Sequence, residues 1–162
     1  MSQIISRLRE LFEYRDGALY WKQDRGSQKC KNQKAGCLTG GYLKLRVREL
    51  GGAVAAHRVI FAMHHGYFPQ EVDHINGNKL DNRIENLRSV SRSQNRMNAG
   101  KMRNNRSGCK NVYPHKDKWC VSLRVGKKPF YLGIYKDLEL ADLVAHMARE
   151  KFHGAYAHHG VN

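Results

Sequence analysis

Between residues 42 and 98 the hydrophobic pattern changes from one period to another. Tyr42, Lys44, Arg46 and Arg48 alternate with Leu43, Leu45 and Val47. A period of two predicts a strand with one apolar and one basic face. Gly51-Gly52 turns the chain, and Ala55 to His64 reads as a short helix with Val59, Ala62 and Met63 inward. Val72 to Ile75 and Leu87 to Val90 read as paired strands. Ser91-Arg92-Ser93-Gln94 has the capping-box form, which starts a helix with Asn95 in its first turn. Upstream, Leu11 to Tyr14 and Ala18 to Lys22 flank Arg15-Asp16-Gly17, a hairpin signal. Residues 24–41 are Gly- and Lys-rich and read as a loop able to touch phosphates.

After residue 107 the pattern restarts. Lys110 to Pro114, Lys118 to Val125 and Lys128 to Tyr135 read as three strands. Trp119, Val121, Leu123 and Val125 share one face; Cys120, Ser122 and Arg124 share the other. Strict alternation puts Phe130, Leu132 and Ile134 together, with Tyr131, Gly133 and Tyr135 opposite. Leu138 to His153 is an amphipathic helix whose Ala141, Val144, Ala145, Ala148 and Phe152 would cover the sheet. The expected class is α+β: an N-terminal β-rich extension with a short helix (1–66), a central module (67–100), a polar linker (101–107) and a C-terminal unit (108–162), the last a three-stranded antiparallel sheet on one helix. The basic residues short of apolar anchors at 99–107 make the linker.

Charge narrows the function. The net charge is +15 over 162 residues. So basic a chain meets a polyanion, with nucleic acid the first expectation and an anionic membrane surface the second. No apolar run is long enough to span a bilayer, and Met1 to Glu10 lacks a signal core, so a cytoplasmic location is expected. Cys30, Cys37, Cys109 and Cys120 form no C-x-x-C pair. They read as free thiols; a zinc site on Cys30 and Cys37 is the less favoured alternative.

The most informative stretch is D-H-I-N-G-N-K-L-D-N-R-I-E-N-L at 73–87. The Asp73 carboxylate suits a hard divalent cation, and the adjacent His74 imidazole can take a proton from water near neutral pH. An amide oxygen from a helix can complete a metal site. These parts suffice for metal-assisted phosphodiester hydrolysis.

His57-Arg58-Val59, Asp73-His74 with Gly77-Asn78, Asp81-Asn82-Arg83, Glu85-Asn86-Leu87 and Asn95 together resemble the HNH (ββα-metal) nuclease family, in its phage and intron-encoded homing form. The resemblance implies a two-strand ribbon, a loop and a helix around one metal. It implies Asp73 and Asn95 as ligands, His74 as general base, and Asn86 as the residue tying the loop so that His74 points correctly. Asn95, where the family's older branch has histidine, implies Mg²⁺ or Mn²⁺. Asn78 and Asn82 read as turn formers and His57 as a structural residue beside its helix. His64, His65, His158 and His159 receive no role.

Ser107-Gly108, Val112, Lys118-Trp119, Leu132-Gly133, the Ala141 to Ala148 helix, and His153-Gly154 with Tyr156-Ala157 resemble the APETALA-type (ethylene-response-factor) DNA-binding domain. Phage homing nucleases are known with this pairing. The resemblance implies that the bare sheet face enters the major groove through Lys110, Tyr113, His115, Ser122, Arg124 and Tyr131. Tyr113 and Pro129 stand where arginines are common in that family, so base preference must differ. Lys44, Arg46 and Arg48 form a second, phosphate-tracking stripe. The whole reads as a DNA endonuclease acting on duplex DNA, as a monomer or alternatively a dimer. A DNA-binding regulator with a nuclease-like remnant is the rival.

Overall fold

The computed structural model describes residues 3–102, 104–126 and 128–157. His158 and His159 lie outside them, as does Arg103 of the expected linker. The protein is a mixture of small sheets and helices, and it divides into two compact units, 1–91 and 92–162.

The first unit opens with α1 (Gln3–Leu11), followed by β1 (Phe12–Arg15) and β2 (Ala18–Trp21). Helix α1 was not foreseen, although Ile5, Leu8 and Leu11 at helical spacing are its buried residues. The hairpin forms where expected. Asp16 and Gly17 both have positive φ, at 40° and 76°, which is the turn a two-residue hairpin loop requires. A β-carbon at Gly17 would lie 2.9 Å from the Arg83 backbone nitrogen, so only glycine lets the hairpin tip approach the 82–83 segment.

Strands β3 (Cys37–Thr39), β4 (Tyr42–Val47) and β5 (Gly52–Ala55) form an antiparallel sheet with β4 in the centre. The 24–41 segment is therefore not all loop. Helix α2 (Ala56–His65) follows and ends at Gly66, whose φ of 80° closes the helix. Then β6 (Glu71–His74) pairs antiparallel with β7 (Leu87–Val90), setting Asp73 opposite Arg88 and His74 opposite Leu87. One apolar core joins α1, β2, β4, α2, β6 and β7 through residues such as Leu8, Leu19, Val47, Ile60, Val72 and Leu87. Residues on both sides of position 66 thus contribute to one apolar core.

The second unit begins at α3 (Arg92–Asn98), which carries the half-buried Asn95. Strands β8 (Val112–His115), β9 (Lys118–Val125) and β10 (Lys128–Tyr135) form a sheet in the order 10-9-8. Helix α4 (Leu138–His153) packs on it, with Asp137 capping its start through the Leu140 amide. Val112, Val121, Ala141 and Ala145 are the buried centre.

Strand β10 corrects one expectation. The register slips between Tyr131 and Gly133, so Phe130 faces Leu123, but Ile134 faces Cys120 and Tyr135 faces Trp119. A bulge adds a residue and inverts the side-chain parity after it. Ile134 thus lies on the open face, 41 % exposed, and Tyr135 packs against the core. Gly133 permits this: its φ is 123°, and a β-carbon there would crowd the Tyr135 hydroxyl at 3.1 Å.

Candidate active site

The ribbon β6–β7 and its 75–86 connection bury polar groups alongside the apolar Val72, Leu87 and Val90. Asp73, His74, Asn82 and Asn86 are each 7 % exposed or less. Buried polar groups persist only when paired, and here the partners are specific. Asp73 Oδ2 accepts from Arg88 Nε and lies 2.9 Å from the second guanidinium nitrogen directly across the ribbon. His74 Nε2 lies 2.9 Å from Asn82 Oδ1. With that oxygen as acceptor, Nε2 carries the proton and the basic lone pair of the ring is on Nδ1.

Asn86 works on the loop. Its Oδ1 accepts from the Asn76 amide at 3.0 Å, and its Nδ2 donates to Asn76 Oδ1 and to the Asp81 carbonyl. Asn76 and Asn78 each accept from the amide two residues on, closing successive Asx turns. Asp81 accepts two bonds from the Arg83 guanidinium, at 2.8 Å each. That fork, helped by Asn76, holds the Asp81 carboxyl well below the usual carboxylate range. The hairpin β1–β2 braces the far side, where the Tyr14 hydroxyl accepts from the Ile84 amide. Asn86 therefore ties the loop, and Asn82, read from sequence as a turn former, is the residue that touches His74.

Two rings pack around the imidazole. His57, from α2, meets His74 edge-on with centroids 4.8 Å apart. Tyr42, from β4, lies 5.5 Å from His57 and 6.4 Å from His74. Burial, with smaller contributions from His74 and Arg58, pushes the His57 imidazolium down to a pKa of about 3. His57 is therefore neutral near pH 7. Arg58 pins the entry to β6 by donating to the carbonyls of Pro69 and Gln70.

Asp73 and His74 are thus neighbours on one strand, and Asn95 belongs to α3 of the second unit. Among the described residues no group of three His, Cys, Asp or Glu side chains is arranged to hold a metal ion. Asp73 fits a hard cation in kind, because it is a buried carboxylate and such cations take oxygen ligands. Cys30 is buried and Cys37 exposed, both as free thiols.

The expected DNA-contacting residues separate into groups. Lys44 is half-buried and Arg46 exposed on β4, opposite the buried Leu45 and Val47. Arg48 is exposed but falls in the 3₁₀ turn Arg48–Leu50 beyond the strand. Tyr113, Ser122, Arg124 and Tyr131 share the open face of the second sheet: Tyr113 pairs with Cys120 and Tyr131 with Ser122. His115 is exposed at the end of β8. Lys110 is not on that face. It is 9 % exposed, its ammonium donates to the Met97 carbonyl, and burial lowers its pKa to about 8. Its own carbonyl accepts from Arg149, which is fully buried. Lys110 is a structural lysine because it precedes β8 and turns inward.

Sequence reading missed Asn82, Tyr42 and Arg88 as members of this cluster. Arg88 was accessible from pairing alone, since aligning Val72 with Ser89 sets it opposite Asp73. Tyr42 had no local signal; only the packing of β4 beside α2 brings it here.

No helix among the described residues is long and apolar enough to cross a membrane. No curated protein and no solved structure gives a significant match to the chain. Residues 54–97, from β5 through most of α3, match the HNH endonuclease family model, which supports an HNH nuclease module around the Asp73–His74 ribbon.

Proposed function

We propose that the protein is a sequence-preferring DNA endonuclease of the HNH homing type, hydrolysing phosphodiester bonds with one divalent cation and His74 as general base. The observation that carries this reading is the buried His74 held by Asn82 beside Asp73, inside the segment that matches the HNH endonuclease family. Asp73 and Asn95 supply oxygen ligands for Mg²⁺ or Mn²⁺, a cation that commonly keeps several waters and takes phosphate oxygens as further ligands. A cation held there stabilises the charge that builds on the phosphate and the leaving 3′ oxygen.

The protein's own groups do the rest. Asn82 fixes the His74 tautomer, so the imidazole accepts the proton of the attacking water at Nδ1. The Asn82 carbonyl oxygen then faces the imidazolium that forms. Asn86 keeps the loop in place while the base works. Products carry 5′-phosphate and 3′-hydroxyl ends. The second unit acts as the docking module, in the manner of an APETALA-type domain, through Tyr113, His115, Ser122, Arg124 and Tyr131, and Lys44, Arg46 and Arg48 follow the backbone. A monomer with one such centre nicks one strand; a double-strand break needs a dimer or two successive nicks. A phage-encoded enzyme working in a bacterial cytoplasm fits this assignment.

Supercoiled plasmid incubated with the protein and Mg²⁺ is the test. Nicked or linear DNA is expected, lost on adding a general chelator and kept with a zinc-selective one. Plasmid that is shifted on a gel but never cut would mean a DNA-binding regulator instead.

A further inference from the structure

The ribbon and its loop carry three permanently cationic side chains, Lys79, Arg83 and Arg88. Two are committed within the protein. Arg83 is held by both oxygens of Asp81, and Arg88 is paired with Asp73 across the strands. Lys79 differs. It is exposed, and among the described residues it has no carboxylate within ion-pair reach. Its ammonium lies 5.0 Å from the centroid of Tyr42, the ring that also faces His57 and His74. The loop holds the backbone around it, because the Asx turns at Asn76 and Asn78 and the Asn86 bond to the Asp81 carbonyl brace the residues on either side of Lys79.

We propose that Lys79 is a catalytic residue of the nuclease centre: its ammonium grips a non-bridging oxygen of the scissile phosphate, with the Tyr42 ring as the platform that holds it there. This rests on the endonuclease reading above. An exposed ammonium on an aromatic face is weakly tethered. A phosphate oxygen offers a charge-assisted hydrogen bond, which is stronger. The cation thus rests on a ring that also faces the general base, and it is released to the substrate without breaking an ion pair. Arg83 and Arg88 would each have to abandon a carboxylate for the same task.

The test uses the full chain on supercoiled plasmid with Mg²⁺, at saturating protein, with affinity for a labelled fragment of the same plasmid measured without Mg²⁺ over a salt series. Lys79→Ala should slow nicking about 10–100-fold and reduce the salt slope by about one. Lys79→Arg should retain most of the rate. Tyr42→Leu should slow nicking as Lys79→Ala does, and the double variant Tyr42→Leu/Lys79→Ala should be no slower than either. A Lys79→Ala protein that nicks at the wild-type rate overturns the proposal. So does one whose deficit lies wholly in affinity and vanishes at saturation. A wild-type chain that never nicks overturns the endonuclease reading itself, which separates the two failures.

Discussion

The ribbon β6–β7 and the sheet β8–β9–β10 are both small antiparallel assemblies, yet they treat their polar residues differently. Beside the apolar Val72, Leu87 and Val90, the ribbon and its loop bury four polar residues, Asp73, His74, Asn82 and Asn86, each paired. In the sheet the buried groups are Val112, Val121 and Leu123, while Tyr113, Arg124 and Tyr131 stand exposed. The difference fits the two tasks proposed above, a general base in one region and a docking surface in the other. A general base must be desolvated and held in one orientation by groups that do not move. A docking surface must instead leave its hydrogen-bonding groups open to a partner. Burial of polar residues is costly, so it marks where orientation is being enforced.

That contrast can be broken at several points. The largest effect is expected from His74→Ala, which should slow cleavage about 10²–10⁴-fold and leave DNA affinity unchanged, as read by single-turnover nicking and by gel shift. Full activity in that variant would remove His74 from the chemistry. Substituting Arg124 by alanine should do the reverse. If it reads a guanine edge, the loss is about 1–3 kcal/mol of binding with relaxed preference at one base; if it meets phosphate, affinity falls evenly and the salt slope weakens. A binding survey over randomised sites distinguishes these. No change at all would mean the open face is not the DNA surface.

Asn82→Ala should touch both stability and rate, because it strips the acceptor from a buried imidazole. About 1–3 kcal/mol is expected from the unpaired donor, measurable by denaturant unfolding, together with slower nicking. Asn82→Asp, which keeps an acceptor, should restore most of the stability.

The smallest effect comes from pH. His57 has its folded pKa depressed to about 3, so the unfolded chain binds the proton more tightly. Its contribution is fully present above the unfolded value near 6.5 and falls with pH from there toward 3. Between pH 7.5 and 5.5 the loss attributable to His57 is about 1.4 kcal/mol. A His57→Phe protein should show a flatter unfolding profile over that interval; an unchanged slope would mean the imidazole is not held neutral.

Much of this protein was determined by sequence alone. The alternation in 118–125 and the helical period in 138–153 gave β9 and α4 with their observed ends, because each period has one face that must be buried. The run at 73–87 lies inside the segment that matches the HNH endonuclease family model. What the tertiary structure decided is what meets what. The bulge in β10 reversed Ile134 and Tyr135, a choice made by packing against α4 and β9 and invisible to a period count. Lys110 went inward because Met97 and Arg149, distant in sequence, offered it partners. Asn82 became the partner of His74, and Tyr42 joined His57 and Lys79, only once the loop closed and β4 lay beside α2. Local pattern fixes which face of an element is apolar. The identity of the polar partner depends on long-range packing, which no local window contains.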